Sequence, residues 1–235
     1  MNIKVISFFS ACVLLAACGI DEYYYLPQVN PSSVARVMNT DAEIRIPSIT
    51  SFSYATGYII FYKIYLSSFD AGSWENLGLI HSTLVSDYNA LLPFTDPANT
   101  TLITSLNTFT NRRYHELEFP LNRDQGILDI RFPTQDLEFP TGTFTLPNSN
   151  ITGEPVLLER SSRLISPEPD GDPYFRNTSG LNNSVNTDVA LGANNASQHA
   201  YAAMYICAIG QNPQNFSRIY SKPTFISVFK LPNAY

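Results

Sequence analysis

One run of residues constrains this chain more than any other: Gly57-Tyr58-Ile59-Ile60-Phe61-Tyr62-Lys63-Ile64-Tyr65-Leu66. Nearly all of them are β-branched or aromatic, the types that fit a pleated surface. Side chains alternate between the two faces of a strand. Tyr58, Ile60, Tyr62, Ile64 and Leu66 therefore share one face. Ile59, Phe61, Lys63 and Tyr65 share the other. Neither face can be left in water, so this strand must be central in its sheet and covered on both sides. Lys63 is its only charge.

Weaker strands surround it. Glu43-Ile44-Arg45-Ile46 alternates polar with apolar and stops at Pro47. Glu116-Leu117-Glu118-Phe119 meets Pro120, and Leu128-Asp129-Ile130-Arg131-Phe132 meets Pro133. Leu137-Glu138-Phe139 meets Pro140, and Thr143-Phe144-Thr145-Leu146 meets Pro147. Period-two alternation marks half-buried strands, and proline marks their ends or edges. Short strands are also expected at 156–158 and 163–165. Residues 201–209 are apolar on both faces, and a last strand is expected over 225–231. A helix is expected where Trp74, Leu77, Ile80, Leu84, Tyr88 and Leu91 recur in steps of three and four, with Ser73 as N-cap and Pro93 as its end. A shorter helical turn follows through Leu102, Ile103, Leu106 and Phe109. Residues 147–200 are the loosest part, rich in Asn, Ser and Thr.

Composition excludes several classes. The 235 residues are 44% hydrophobic and 14% charged, which is the opposite of a disordered chain. The formal charge of −6 offers no basic face for nucleic acid. With 3 cysteines the chain is not a disulfide scaffold.

The first seventeen residues, MNIKVISFFSACVLLAA, place one cation before an apolar run ending in small residues. That is the shape of a secretory signal. The run is too short for a bilayer span of about 20 residues. Leu15-Ala16-Ala17-Cys18 then looks like a bacterial lipobox. The resemblance implies cleavage before Cys18 and lipidation of its thiol, hence a body anchored to a membrane by two acyl chains or more. Residues 18–30 are expected to be a tether and 31–235 the folded domain. Which membrane, and which face of it, stays open. Cys207 is then the one cysteine left without a role, and its apolar surroundings point to a buried structural thiol.

Residues 57–63, together with 205–212 and 220–224, resemble the third, sixth and seventh strands of a fibronectin type III domain. The resemblance implies a mainly β, antiparallel, immunoglobulin-like sandwich. That family's domain is about 100 residues, so residues 67–200 would be a long insertion carrying one or two helices. The chain also looks like spirochaetal lipoproteins that share a strand like residues 57–65.

Chemistry is sparse. His81, His115 and His199 are isolated, with no second ligand at metal spacing, and read as surface or capping residues. The acidic turn 168–173 is too short for a calcium loop. No phosphate-binding glycine loop, nucleophile elbow or metalloprotease helix occurs, so no cofactor or metal is expected. Arg112-Arg113 beside Tyr114 could grip an anion, but paired arginines on a loop are usually just solvated. The expectation is a lipid-anchored envelope protein, not an enzyme, that binds a protein or glycan ligand or adheres through it. The alternatives are a structural or assembly lipoprotein and a glycan-acting enzyme.

Overall fold

In the computed structural model the described residues are 24–30, 33–34, 42–46, 52–68, 82–96, 106–120, 128–132, 143–145, 156–157, 159–160, 174–177, 181, 187–190 and 199–231. The signal, the lipobox with Cys18, Trp74, His81, the expected strands 137–139 and 163–165 and the acidic turn lie outside them.

The chain is mainly β. In order it forms β1 (Ser33–Val34), β2 (Ala42–Ile46), β3 (Ala55–Ser67), α1 (Ser82–Thr95), α2 (Asn107–Asn111), β4 (His115–Pro120), β5 (Leu128–Phe132), β6 (Thr143–Thr145), β7 (Val156–Leu157), β8 (Val189–Ala190), β9 (His199–Gln211), β10 (Arg218–Tyr220) and β11 (Thr224–Lys230). A five-stranded sheet runs β1-β2-β5-β6-β7. A six-stranded sheet is built on the two longest strands, β3 and β9, which pair antiparallel from Ala55↔Gly210 to Ser67↔His199.

Both of these strands are flanked in relay. On the outer side of β3, β4 covers Gly57 to Tyr62, and β8 then pairs in parallel with Ile64 and Tyr65. On the outer side of β9, β10 covers Ile209 to Gln211, and β11 covers Tyr201 to Ile206. Between β10 and β11, Ser221 continues the ladder: its N–H donates to the Ala208 carbonyl and its Oγ accepts from the Ala208 N–H. A bulge at Phe225/Ser227 shifts β11 by one residue. Ile226 consequently faces one side of the sheet with Phe229, and Val228 faces the other.

The two faces of β3 sort as their alternation requires. Tyr58, Ile60, Tyr62, Ile64 and Leu66 join Met204, Ile206, Phe229, Phe175 and Ile46 of the other sheet in one core. Ile59, Phe61 and Tyr65 join Tyr201, Tyr205, Leu84, Leu91 and Phe109 in a second, under the helices. Phe61 stacks on Phe109 at 4.6 Å, and Tyr205 and Tyr114 pack edge-on around the same ring.

Two expectations need correction. Pro93 does not end the helix: α1 runs on to Thr95, and Asp96 N–H still donates to the Leu92 carbonyl. Pro93 is exposed in the last turn, where its fixed φ suits a helix and the missing N–H leaves only the exposed Asn89 carbonyl for solvent. Residues 24–30 are not a free tether. Leu26 and Val29 are buried in the core. Gln28 Nε2 donates to the carbonyls of Thr95 and Pro223, and Thr224 Oγ1 donates to the Val29 carbonyl. An extended segment has no internal backbone bonds, so it takes them from the elements it crosses.

Gly210 marks the tightest point of this packing. A Cβ there would lie 2.5 Å from the Tyr54 carbonyl oxygen and 3.2 Å from Leu26 Cδ1. That carbonyl is already held by the Gln211 N–H at 2.9 Å and cannot retreat cheaply. Gly210→Ala should therefore destabilise the protein by about 1–3 kcal/mol through overpacking. Urea unfolding checks it, and an unchanged midpoint would contradict the packing.

Candidate functional site

A lysine in the middle of an apolar strand must be paired, because an isolated buried charge is prohibitive. Lys63 is 6% exposed and its partner is Asp87, 4% exposed, on the sheet-facing side of α1. Asp87 occupies the step between Leu84 and Leu91 on that buried stripe. Lys63 Nζ donates to Asp87 Oδ2 at 2.6 Å and to the Arg112 carbonyl at 2.8 Å. Tyr65 OH donates to the same Oδ2 at 2.8 Å, and Arg112 donates to Oδ1 at 2.9 Å. Both carboxylate oxygens are thus satisfied.

The hydroxyls continue inward. Tyr65 and Tyr114 are 2.9 Å apart, and Tyr114 also bonds Tyr205. A hydroxyl has one proton to give. With Tyr65 committed to Asp87, Tyr114 donates to Tyr65 and Tyr205 to Tyr114. Burial first, then the neighbouring phenols and Asp87, holds Tyr65 and Tyr205 far above the ordinary phenol range. Burial does the same to Tyr114. All three remain protonated donors.

The loop after α2 is shaped to receive Lys63. Tyr114 N–H reaches back to the Phe109 carbonyl and Arg113 N–H to the Thr110 carbonyl. That pair of bonds is a Schellman closure, and the ring contact of Tyr114 with Phe109 is its usual apolar partner. The left-handed position of this motif normally holds glycine. Here it is Arg113, at φ 60. A side chain there costs about 1–2 kcal/mol. Arg112, at the cap, is left with its carbonyl turned to Lys63.

Opposite, the segment 187–190 is fixed by a second buried ion pair. Arg160 Nε donates to Asp188 Oδ2 at 2.7 Å, and its NH2 group pairs with Oδ1. The Asp188 carbonyl accepts the Ile64 N–H. Between these walls lies a cleft of about 820 Å³ lined by Lys63, Thr83, Asp87, Thr108, Asn111, Arg112, Arg113, Thr187, Val189 and Ala190. Among the described lining residues three cations face one carboxylate, in a chain whose formal charge is −6. Thr83, Thr108, Asn111 and Thr187 add neutral hydrogen-bonding groups.

The arginine pair singled out in the sequence is therefore at the cleft, while Asp87, Tyr65 and segment 187–190 are not visible as motifs. The signal that could have found Asp87 is its position as the one acid on the apolar stripe of α1. His115 is not a surface residue. It is half-buried at the start of β4 against the Tyr62 ring, and its buried Nε2 has no partner among the described residues. His199 opens β9, partly buried. Cys207 is the buried thiol expected: its Sγ donates to the Ser221 carbonyl at 2.9 Å, and burial pushes it up to about 12. Among the described residues no group of three metal-ligating side chains occurs, and no helix is long and apolar enough to cross a membrane. No known protein family, curated protein or solved structure matches this chain.

Burial holds the His115 imidazole below the ordinary histidine value of 6.5, against the pull of Asp188. The unfolded chain then binds more protons as pH drops through 6.5, so stability falls with it until the folded value is passed. His115→Gln removes this contribution. Urea midpoints at pH 7.5 and 5 should fall further for the parent than for the variant, and equal falls would contradict the assignment.

Proposed function

We propose that this chain is a lipid-anchored cell-envelope protein whose folded part is a non-catalytic binding or adhesion module. Its ligand presents an acidic group to the cleft over Lys63. The observation that carries the reading is the excess of cation in that cleft. Lys63 and Asp87 neutralise each other in the floor, and Arg112 gives Asp87 one N–H. Arg113 is exposed at the mouth. A volume of about 820 Å³ falls in the range of pockets for small ligands, roughly 300–1,000 Å³. Threonine hydroxyls and an asparagine amide suit a polyhydroxylated ligand, which favours an acidic sugar over an acidic peptide.

The single carboxylate among the described lining residues bears on chemistry too. Glycoside hydrolysis uses two opposed carboxyl groups. Among the described lining residues Asp87 stands without a second acid, and three donors already occupy it. A binding role suits such a group better than proton transfer.

The finer architecture belongs to the same reading. The antiparallel β3–β9 pair, with β4 outside β3 and β10 and β11 outside β9, is similar to the third, sixth and seventh strands of a fibronectin type III sheet with one extra edge strand. Ile46 of the five-stranded sheet is fully buried against the sheet face opposite the helices, which supports a second layer there. Helices on the outer face, and the parallel β8, are elaborations of that plan.

Isothermal titration with a hyaluronan tetrasaccharide tests the cleft, with chitotetraose as the neutral control and hexaglutamate as the acidic peptide. Binding of the first alone is expected. Arg113→Ala should weaken it roughly ten- to hundredfold, the worth of a charged hydrogen bond, with the urea midpoint unchanged or raised. Binding of hexaglutamate alone would move the reading to an acidic protein partner. Binding untouched by Arg113→Ala would remove the cleft from it.

A further inference from the structure

Two large apolar side chains stand out in water at one end of the six-stranded sheet. Tyr25 is 62% exposed and Phe216 is 72% exposed. They belong to neighbouring segments. Tyr54 OH donates to the Tyr25 carbonyl at 2.7 Å, and the Tyr24 ring packs edge-on against Tyr54 at 5.4 Å. The Tyr54 carbonyl accepts the Gln211 N–H, and Gln211 Nε2 donates to the Phe216 carbonyl.

Phe216 is also held out deliberately. It sits at φ 59 near the tip of the turn between β9 and β10. The turn is closed by Phe216 N–H on the Asn212 carbonyl, Asn212 N–H on the Ser217 carbonyl, and the side chains of Asn212 and Asn215 on the Gln214 and Ser217 N–H groups. No charged residue occurs in 24–30, 52–56 or 211–217, and Arg218, the next residue, is paired with Glu118 at 3.0 Å. The remaining exposed large apolar residues among the described ones, Leu92 and Phe94, lie in the last turn of α1, whose Thr95 carbonyl is bonded to Gln28.

Chain length says what faces this end. Tyr24 is packed on the body, and Cys18 is six residues earlier. Fully extended, six residues span about 20 Å at most. Aromatic side chains with a wet edge favour the headgroup layer. We infer that the end bearing Tyr24, Tyr25, Tyr54 and Phe216 rests on the lipid bilayer, with Tyr25 and Phe216 in the headgroup layer. Lys63 lies eight residues along β3 from Ala55, or about 26 Å at ~3.3 Å per residue. The floor of the cleft at Lys63 therefore lies well away from the lipid.

The inference rests on lipidation of Cys18, so the experiment reads the two separately. The full-length protein is produced with its signal, labelled with palmitate, and reconstituted in vesicles of phosphatidylcholine and phosphatidylglycerol. Trp74→Phe removes the native tryptophan, and Phe216→Trp or Tyr25→Trp then places one at the aromatic end. Arg113→Trp in the same background is the control. Vesicles with brominated acyl chains should quench both end probes and leave the Arg113→Trp probe unchanged. Co-sedimentation with vesicles but no quenching overturns the orientation alone. Absence of label and of co-sedimentation overturns the anchor and the orientation with it. Hydrogen exchange on the unsubstituted chain gives the same reading without new tryptophans: the amides of Asn212 and of residues 214–217 should exchange more slowly on vesicles than in soluble Cys18→Ala protein. Equal rates in vesicle-bound and soluble protein would contradict the docking.

Discussion

The buried pair of Lys63 with Asp87 is the interaction on which the helix side of this protein depends. Strand β3 is apolar on both faces except at Lys63, and burying that ammonium unpaired would cost several kcal/mol. Its neutralisation dictates where α1 lies, because Asp87 must reach the sheet. It dictates the end of α2, whose cap carbonyl at Arg112 takes a second hydrogen of the same ammonium. It also selects tyrosine where phenylalanine would fill the space, since Tyr65 completes the carboxylate, Tyr114 completes Tyr65 and Tyr205 completes Tyr114. Such a network is worth most when every member is satisfied.

The same strand arranges function along its length. Its start, with Tyr54 and the crossing segment 24–30, forms an end with exposed aromatic rings beside the exposed Arg218–Glu118 ion pair. Its far half carries Lys63 and pairs with β8, whose position is secured by the Arg160–Asp188 pair. A long antiparallel pair of strands is a stiff spacer, so a cleft built at one end is held at a set distance from anything that docks at the other. In that arrangement the aromatic end and the positively charged cleft are two consequences of one sheet.

Much of the sheet was legible before any coordinates, because period-two alternation is local. The two faces of β3 sorted residue by residue, and β2, β4, β5 and β11 came within a residue or two of their expected limits. What was not legible is what depends on distant partners. Residues 24–30 read as linker because Leu26 and Val29 are separated by polar and proline residues, yet they complete a core built by β9. Pro93 read as a stop because its position in the last turn, where one missing bond is harmless, is a matter of helix length. Asp87 carries no signal of its own in the sequence, because nothing in its own helix says that a lysine waits opposite. The pair Arg112-Arg113 was visible, but its unusual backbone was not, since the sequence places a side chain where glycine is the rule.

The central claim is that Lys63 and Asp87 are coupled in the interior. A double-mutant cycle with Lys63→Met, Asp87→Leu and the two together, each followed by urea unfolding, measures that coupling. Each single change should cost about 3–5 kcal/mol, because it leaves the other charge buried alone. The double variant should lose far less than the sum, since both charges are then gone. Small and additive losses would contradict the account, and the cleft would then need another explanation for its floor.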